Sequence, residues 1–357
     1  METSKKQRVY FLDWMRMIAP LMVMIVHGCE CYYSDDFNFH FDSDEGRLAT
    51  GFIGGLVRSC VPIFVMASAY LLVPIKTDTF TFFKKRAARI LCPFIFFLLL
   101  YASLPAAWGL FEWSDVPGQM AHVLLNFHPS GSHLWFIYML IGLYLLMPMI
   151  SPWLERCTRR EEEFYLGVWL FTTTFYHWHE QFGRVFGECE WNPYAIFYHF
   201  SGFIGYVIMA HYIRKYLDWS KALTYKVCIP GFLITYALMV WSFLSRSHWA
   251  ANPQGLEMDW QMTSTLVALN SFFVFMLFKT INYHEGKVYK VVSSFSAMSY
   301  GMYLMHMLIL PHFWNLFYPT SLPVGAAQIL TAVCAYLTSY VVARILSIPK
   351  WGKYLIG

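Results

Sequence analysis

Apolar runs of about twenty residues recur along this chain from end to end, each long enough to cross a bilayer as a helix. In lipid the backbone must satisfy its own hydrogen bonds, so repeated runs of this length point to α-helices. Composition agrees: 57% of residues are hydrophobic and 13% are charged, about half the charged share of a soluble domain. The fold class is therefore all-α, a polytopic transmembrane helix bundle. Ten candidate spans can be drawn, at 9–31, 49–73, 88–111, 133–154, 162–179, 193–213, 227–244, 261–280, 291–314 and 324–346. Pro20, Pro62 and Pro93 interrupt three of them, which lipid tolerates where neighbouring helices satisfy the freed backbone groups. No loop is long enough for a soluble domain, so residues 1–357 are expected to form a single membrane-embedded domain. The first run is too long for a removable signal peptide and lacks its cleavage pattern.

Charge sets the expected orientation. Of the 26 lysines and arginines, Arg47, Arg184 and Arg246 fall on one side of these spans and Arg16 and Arg58 fall deep inside them, with Arg89, Lys279 and Arg344 within three residues of the ends on the opposite side. The rest fall on the other side, which the positive-inside rule makes cytoplasmic. Both termini are then cytoplasmic, in a multi-pass protein of the cell's inner (plasma) membrane. The outer side is rich in acids and histidines, among them Asp35, Asp36, His40, Asp42, Asp44, Glu45, His177, His179, Glu257 and Asp259. The loop "DDFNFHFDSDEG" has calcium-ligand composition without the EF-hand spacing. Eight cysteines include no CxxC pair and read as packing residues rather than a disulfide framework. No metal site and no nucleic-acid partner is expected; the lipid bilayer is.

Ionisable residues within a span are costly and therefore candidates for function. The stretch "RMIAPLMVMIVH" begins at Arg16 and ends at His27. Eleven residues are three helical turns plus about 20°, so the two share a face roughly 16 Å apart along the axis. Asp13 and Pro20 join that stripe, which would look into the bundle. Arg86 and Arg89, one turn apart, suit a clamp on phosphate groups. His133 and Trp135 enter the fourth span from outside, and Tyr303 and His306 share a face in the ninth. Each has an ordinary reading as well. Arg16 can snorkel to headgroups with Asp13 as partner, Arg86 and Arg89 can be a basic flank, and the others can be interfacial or helix-pairing residues. Arg58 needs an acid from an outer loop.

These segments, in order, resemble the integral-membrane acyltransferase 3 family. "RVYFLDWMRMIAPLMVMIVH" resembles its opening, an arginine, ten residues and a histidine. "VPIFVMASAYLL" is similar to its second-helix motif, with Ser68-Ala69 where the family has Ser-Gly. "FFKKRAARILCPF" resembles its Arg-x-x-Arg segment; "HLWFIYMLIGLYLLMP" and "SYGMYLMH" resemble its Leu-Trp-Phe and Tyr-Leu-x-His segments. The resemblance implies transfer of an acyl group, commonly acetyl and sometimes succinyl, from cytoplasmic acyl-CoA as co-substrate to a hydroxyl of an extracytoplasmic or lipid-linked glycan acceptor. His27 would then be the general base, Glu30 the carboxylate that orients it, and Arg16 a group favouring the donor or the developing negative charge. Arg86 and Arg89, with Ser68 nearby, would hold the coenzyme A phosphates. His133, Trp135, Tyr303 and His306 would border the acceptor. A covalent acyl-histidine route is open too. The competing class is an ion-coupled transporter or flippase, which buried charge and proline-broken helices also suit.

Overall fold

The structure, a computed structural model, describes residues 8–33, 41–123, 125, 129–182 and 202–357, with the backbone alone at 129–130 and 175–182. Asp35, Asp36, His40 and Arg184 lie outside the described residues, and His177 and His179 are placed in backbone only. Among the described residues the chain is helical with no strand. The helices are α1 Tyr10–Tyr33, α2 Asp44–Leu56, α3 Cys60–Leu72, α4 Thr79–Arg86, α5 Cys92–Ala107, α6 Val116–His122, α7 Trp135–Arg156 and α8 Arg159–Phe182. They continue as α9 Ile204–Tyr216, α10 Lys221–Arg246, α11 Pro253–Leu256, α12 Thr265–Lys279, α13 Gly286–Met305, α14 Leu310–Phe317, α15 Val324–Leu346 and α16 Lys353–Ile356.

Seven stretches among the described residues are long and apolar enough to cross a membrane: α1, Asp44–Leu72, Thr79–Ala107, Gly131–Arg156, α10, Met258–Lys279 and α15. The remaining three of the ten expected spans differ for separate reasons. Span 162–179 falls in α8, which is long enough but carries too many polar residues. Span 193–213 lies partly outside the described residues, and its described part is the thirteen-residue α9. Span 291–314 is not one helix: α13 ends at Met305, a 3-10 turn covers His306–Leu308, and α14 restarts at Leu310.

Helix α1 is the hub. It packs against α2, α3, α13 and α15 and also meets α12 and α14. Its stripe is buried or half-buried at Asp13, Arg16, Pro20 and His27. Close approach depends on a missing side chain: a Cβ on Gly28 would sit 3.0 Å from the Gln328 carbonyl oxygen of α15, the small-residue packing common between membrane helices. One of the three prolines is better placed than the spans suggest. Pro62 sits in the first turn of α3, where a missing N–H costs little. Pro20 lies inside α1, and Pro93 lies just past the π-helical stretch Ala87–Leu91 inside the third crossing.

Two of the crossings are interrupted where the charged motifs fall. The second breaks at Val57–Ser59, between α2 and α3, and the break turns Arg58 sideways into the bundle. The third carries a π-helical stretch at Ala87–Leu91, between Arg86 and α5, so Arg89 sits on widened backbone rather than on a regular α-turn. Such bulges are frequent at functional sites.

Candidate active site

His27 lies in the C-terminal half of α1, one turn from Glu30. Its Nδ1 is 2.7 Å from Glu30 Oε2, and an ionised carboxylate only accepts, so Nδ1 donates. That contact fixes the tautomer and leaves Nε2 unprotonated on the neutral ring. Both side chains are half-buried and line a cavity of about 220 Å³ with Arg58, His133, Trp135, Glu257 and Tyr303. His306 is fully buried; its ring centroid lies 5.2 Å from that of His27 and 4.8 Å from that of His133. The Tyr303 hydroxyl donates to the backbone carbonyl of His133, tying α13 to the entry of α7. Trp135 is the exposed member of the set. Although three histidines converge, no group of three or more His, Cys, Asp or Glu among the described residues is arranged to hold a metal.

The acid that Arg58 needs is Glu257, just before the apolar stretch that contains α12. Arg58 is 1% exposed, and its Nη2 donates to Glu257 Oε1 at 3.2 Å and to the Tyr33 hydroxyl at 3.3 Å. Its Nη1 is 3.8 Å from Glu30 Oε1. The guanidinium lies 4.1 Å from the centroid of the Trp260 ring, a cation–π contact. Gly54 makes room for this: a Cβ there would meet the Trp260 ring at 2.9 Å. His27, Glu30, Arg58 and Glu257 thus form one continuous charged cluster from four points in the sequence. Glu257 and Trp260 are site residues that spacing does not single out, because they lie roughly two hundred positions from Arg58. The unmatched charge of Arg58 is the one signal for them.

At the other end of α1 a second cavity of about 830 Å³ is lined by Arg8, Arg16, Arg86 and Arg89, with Ser68 and Tyr144 among its walls. Asp13 does not pair with Arg16. It accepts from Arg8 Nε at 2.7 Å, from the Tyr289 hydroxyl at 2.5 Å and from Ser296 Oγ at 2.9 Å. Among the described residues no carboxylate forms an ion pair with Arg16, Arg86 or Arg89, whereas Arg8, Arg47, Arg58, Arg159 and Arg246 each have one. Three cations without counter-ions facing one concave wall suit an anionic ligand.

The sequence-predicted residues therefore separate into two groups. Arg16, Ser68, Arg86 and Arg89 line the larger cavity; His27, Glu30, His133, Trp135 and Tyr303 line the smaller, with His306 packed against His27 and His133. Tyr303 also lines the larger cavity. A family model described as an acyltransferase domain matches residues 9–348, nearly the whole chain. No curated protein and no solved structure matches it. The match takes in every residue of both cavities except Arg8 and Gly357, and on that ground the chain belongs to the acyltransferase 3 family of membrane acyltransferases.

Proposed function

We propose that the protein is an O-acetyltransferase that moves acetyl from cytoplasmic acetyl-CoA to a hydroxyl of an extracytoplasmic or lipid-linked glycan. The observation that carries this reading is α1 itself. One helix presents Arg16 to a cavity with three further arginines, and His27 to a cavity that holds a carboxylate-bound imidazole. Arg16, Arg86 and Arg89 hold the coenzyme A phosphates, and the flexible arm brings the thioester up toward His27. Nε2 of His27 takes the acceptor hydroxyl proton, and that oxygen attacks the thioester carbonyl carbon. The C–O ester bond forms, the C–S bond breaks, and the sulfur takes the proton from the imidazolium, so coenzyme A leaves as the thiol. With both carboxylates ionised, Glu30 and Glu257 outnumber Arg58 by one negative charge. The cluster balances when His27 is protonated, so it favours the charge that develops as the proton is taken.

The test is radiolabelled acetyl-CoA supplied to membranes carrying the protein, with label followed into the cells' own polysaccharide. Incorporation above membranes without the protein is the expected result, and none would sink the reading. The helix breaks at Arg58 and at His306 are the features that favour an ion-coupled carrier instead, and a carrier would put no label into polysaccharide in that assay.

The sidedness is tested separately. Asp44, the first residue of α2, and Thr77, between α3 and α4, are both exposed and lie at opposite ends of α2–α3. Asp44→Cys is expected to gain label from a membrane-impermeant thiol reagent on intact cells, over the parent protein's own reactivity, and Thr77→Cys to gain it only after lysis. The reverse pattern would invert the bundle and place the arginine cavity outside.

A further inference from the structure

The two cavities have two lining residues in common, Phe136 at the start of α7 and Tyr303 near the end of α13. Their rings meet edge to face with centroids 5.3 Å apart. We propose that this aromatic pair is an acyl filter, one that admits short uncharged acyl groups to His27 and turns back long or carboxylate-ended ones. The proposal rests on the transferase reading above and adds to it the residues that select the acyl group.

A thioester arriving from the arginine side must put its acyl group past Phe136 and Tyr303 to come within reach of His27. The pair is held firmly. Phe136 is 6% and Tyr303 5% exposed. The Tyr303 hydroxyl is tied to the His133 backbone, and Phe136 is backed by the Phe64 ring at 6.2 Å. Close-packed rings of this kind yield only if their helices move. The space beyond is also small: about 220 Å³ against about 830 Å³ on the arginine side, with Glu30, Arg58 and Glu257 on its walls beside Val23, Val26 and Val61. Each methylene that passed the pair would take up room in a cavity that must also admit the acceptor hydroxyl, and overfilling so small a space is costly. A carboxylate-ended donor such as succinyl-CoA would meet Glu30 and Glu257, while the one cation present, Arg58, is already engaged by both.

The experiment compares acetyl-, butyryl-, hexanoyl- and succinyl-CoA, with coenzyme A thiol release and label in the membranes' own polysaccharide as readouts. In wild type, kcat/KM is expected to fall at least tenfold from acetyl to hexanoyl and from acetyl to succinyl. Phe136→Ala should raise the hexanoyl-to-acetyl ratio by about tenfold to a hundredfold, the scale of pocket discrimination per methylene or two. Phe136→Leu, which keeps most of the buried volume and guards against a misfolded alanine variant, should move the ratio the same way by less. Variants that keep the wild-type length preference within twofold overturn the filter while leaving the enzyme reading intact. So does a wild type that uses hexanoyl or succinyl as well as acetyl. A wild type that transfers from no donor overturns the enzyme reading, and the filter with it.

Discussion

His27→Ala is expected to reduce acetyl transfer at least a hundredfold at matched expression while leaving acetyl-CoA binding within a few-fold of wild type. General-base catalysis by a positioned imidazole contributes roughly 10²–10⁴, and nothing else on the small cavity's wall is arranged to replace it. Among the described residues His133 Nδ1 and His306 Nε2 have no hydrogen-bond partner and the other nitrogen of each ring faces a backbone carbonyl, so neither ring has there the carboxylate that His27 has in Glu30. The substitution removes a half-buried side chain facing a cavity, so little packing is lost and the protein should accumulate normally. Glu30→Gln gives the second point. It keeps a hydrogen-bonding side chain at the same place but removes the ionised acceptor, and transfer should fall to an intermediate level with donor affinity unchanged. Equal labelling by wild type and His27→Ala would take the base role from His27 and oblige a search among His133 and His306. Loss of donor binding along with transfer would mean that the substitution had disturbed the arginine cavity some three turns away.

The helical class was legible because lipid leaves so few options for a backbone, and the runs at 9–31, 133–154, 227–244, 261–280 and 324–346 reappear as single helices or nearly so. The breaks were legible only in part. Pro62 marks an interruption of the second span, but not that Arg58 lies in it; the burial of Arg58 between Glu257, Tyr33 and Trp260 is a tertiary reason that overrides local helix preference. The break at His306 is of the same kind, since the ring lies fully buried against His27 and His133. Residues on one helix face were foreseeable from periodicity alone, which is why Arg16 and His27 could be placed together. Pairings between distant segments were not. Asp13 shares a face with Arg16, yet three groups from outside α1's own turns, Arg8, Tyr289 and Ser296, take its two oxygens. That loss of a local partner is what leaves Arg16 available to an external anion. Phe136 lies in the Leu-Trp-Phe segment and carries no separate signal, because one apolar ring among many gains meaning only where two cavities meet at it.

Removing the second arginine pair tests the other end of the same helix. Arg86→Gln with Arg89→Gln is expected to weaken acetyl-CoA binding by at least about a hundredfold, since a hydrogen bond to a charged group contributes ~1.5–3 kcal/mol each. The gap between wild type and the double variant should be widest at low salt and narrow as salt rises, because screening acts on the wild-type attraction that the variant has lost. Arg86→Lys with Arg89→Lys should recover part of the affinity, because an ammonium keeps the charge without the forked geometry. The decisive comparison uses acetyl-pantetheine, a thioester donor with no phosphate. If the guanidiniums act on phosphate, wild type and double variant should use that donor equally, at the same low efficiency. A double variant that is equally impaired with both donors has lost the shape of the cavity rather than a phosphate contact, and the π-helical stretch at Ala87–Leu91, on which Arg89 sits, is then the structure that the arginines maintain. A double variant that binds acetyl-CoA like wild type leaves Arg16 and Arg8 as the remaining cations on that wall, and donor recognition must be rebuilt around α1 alone.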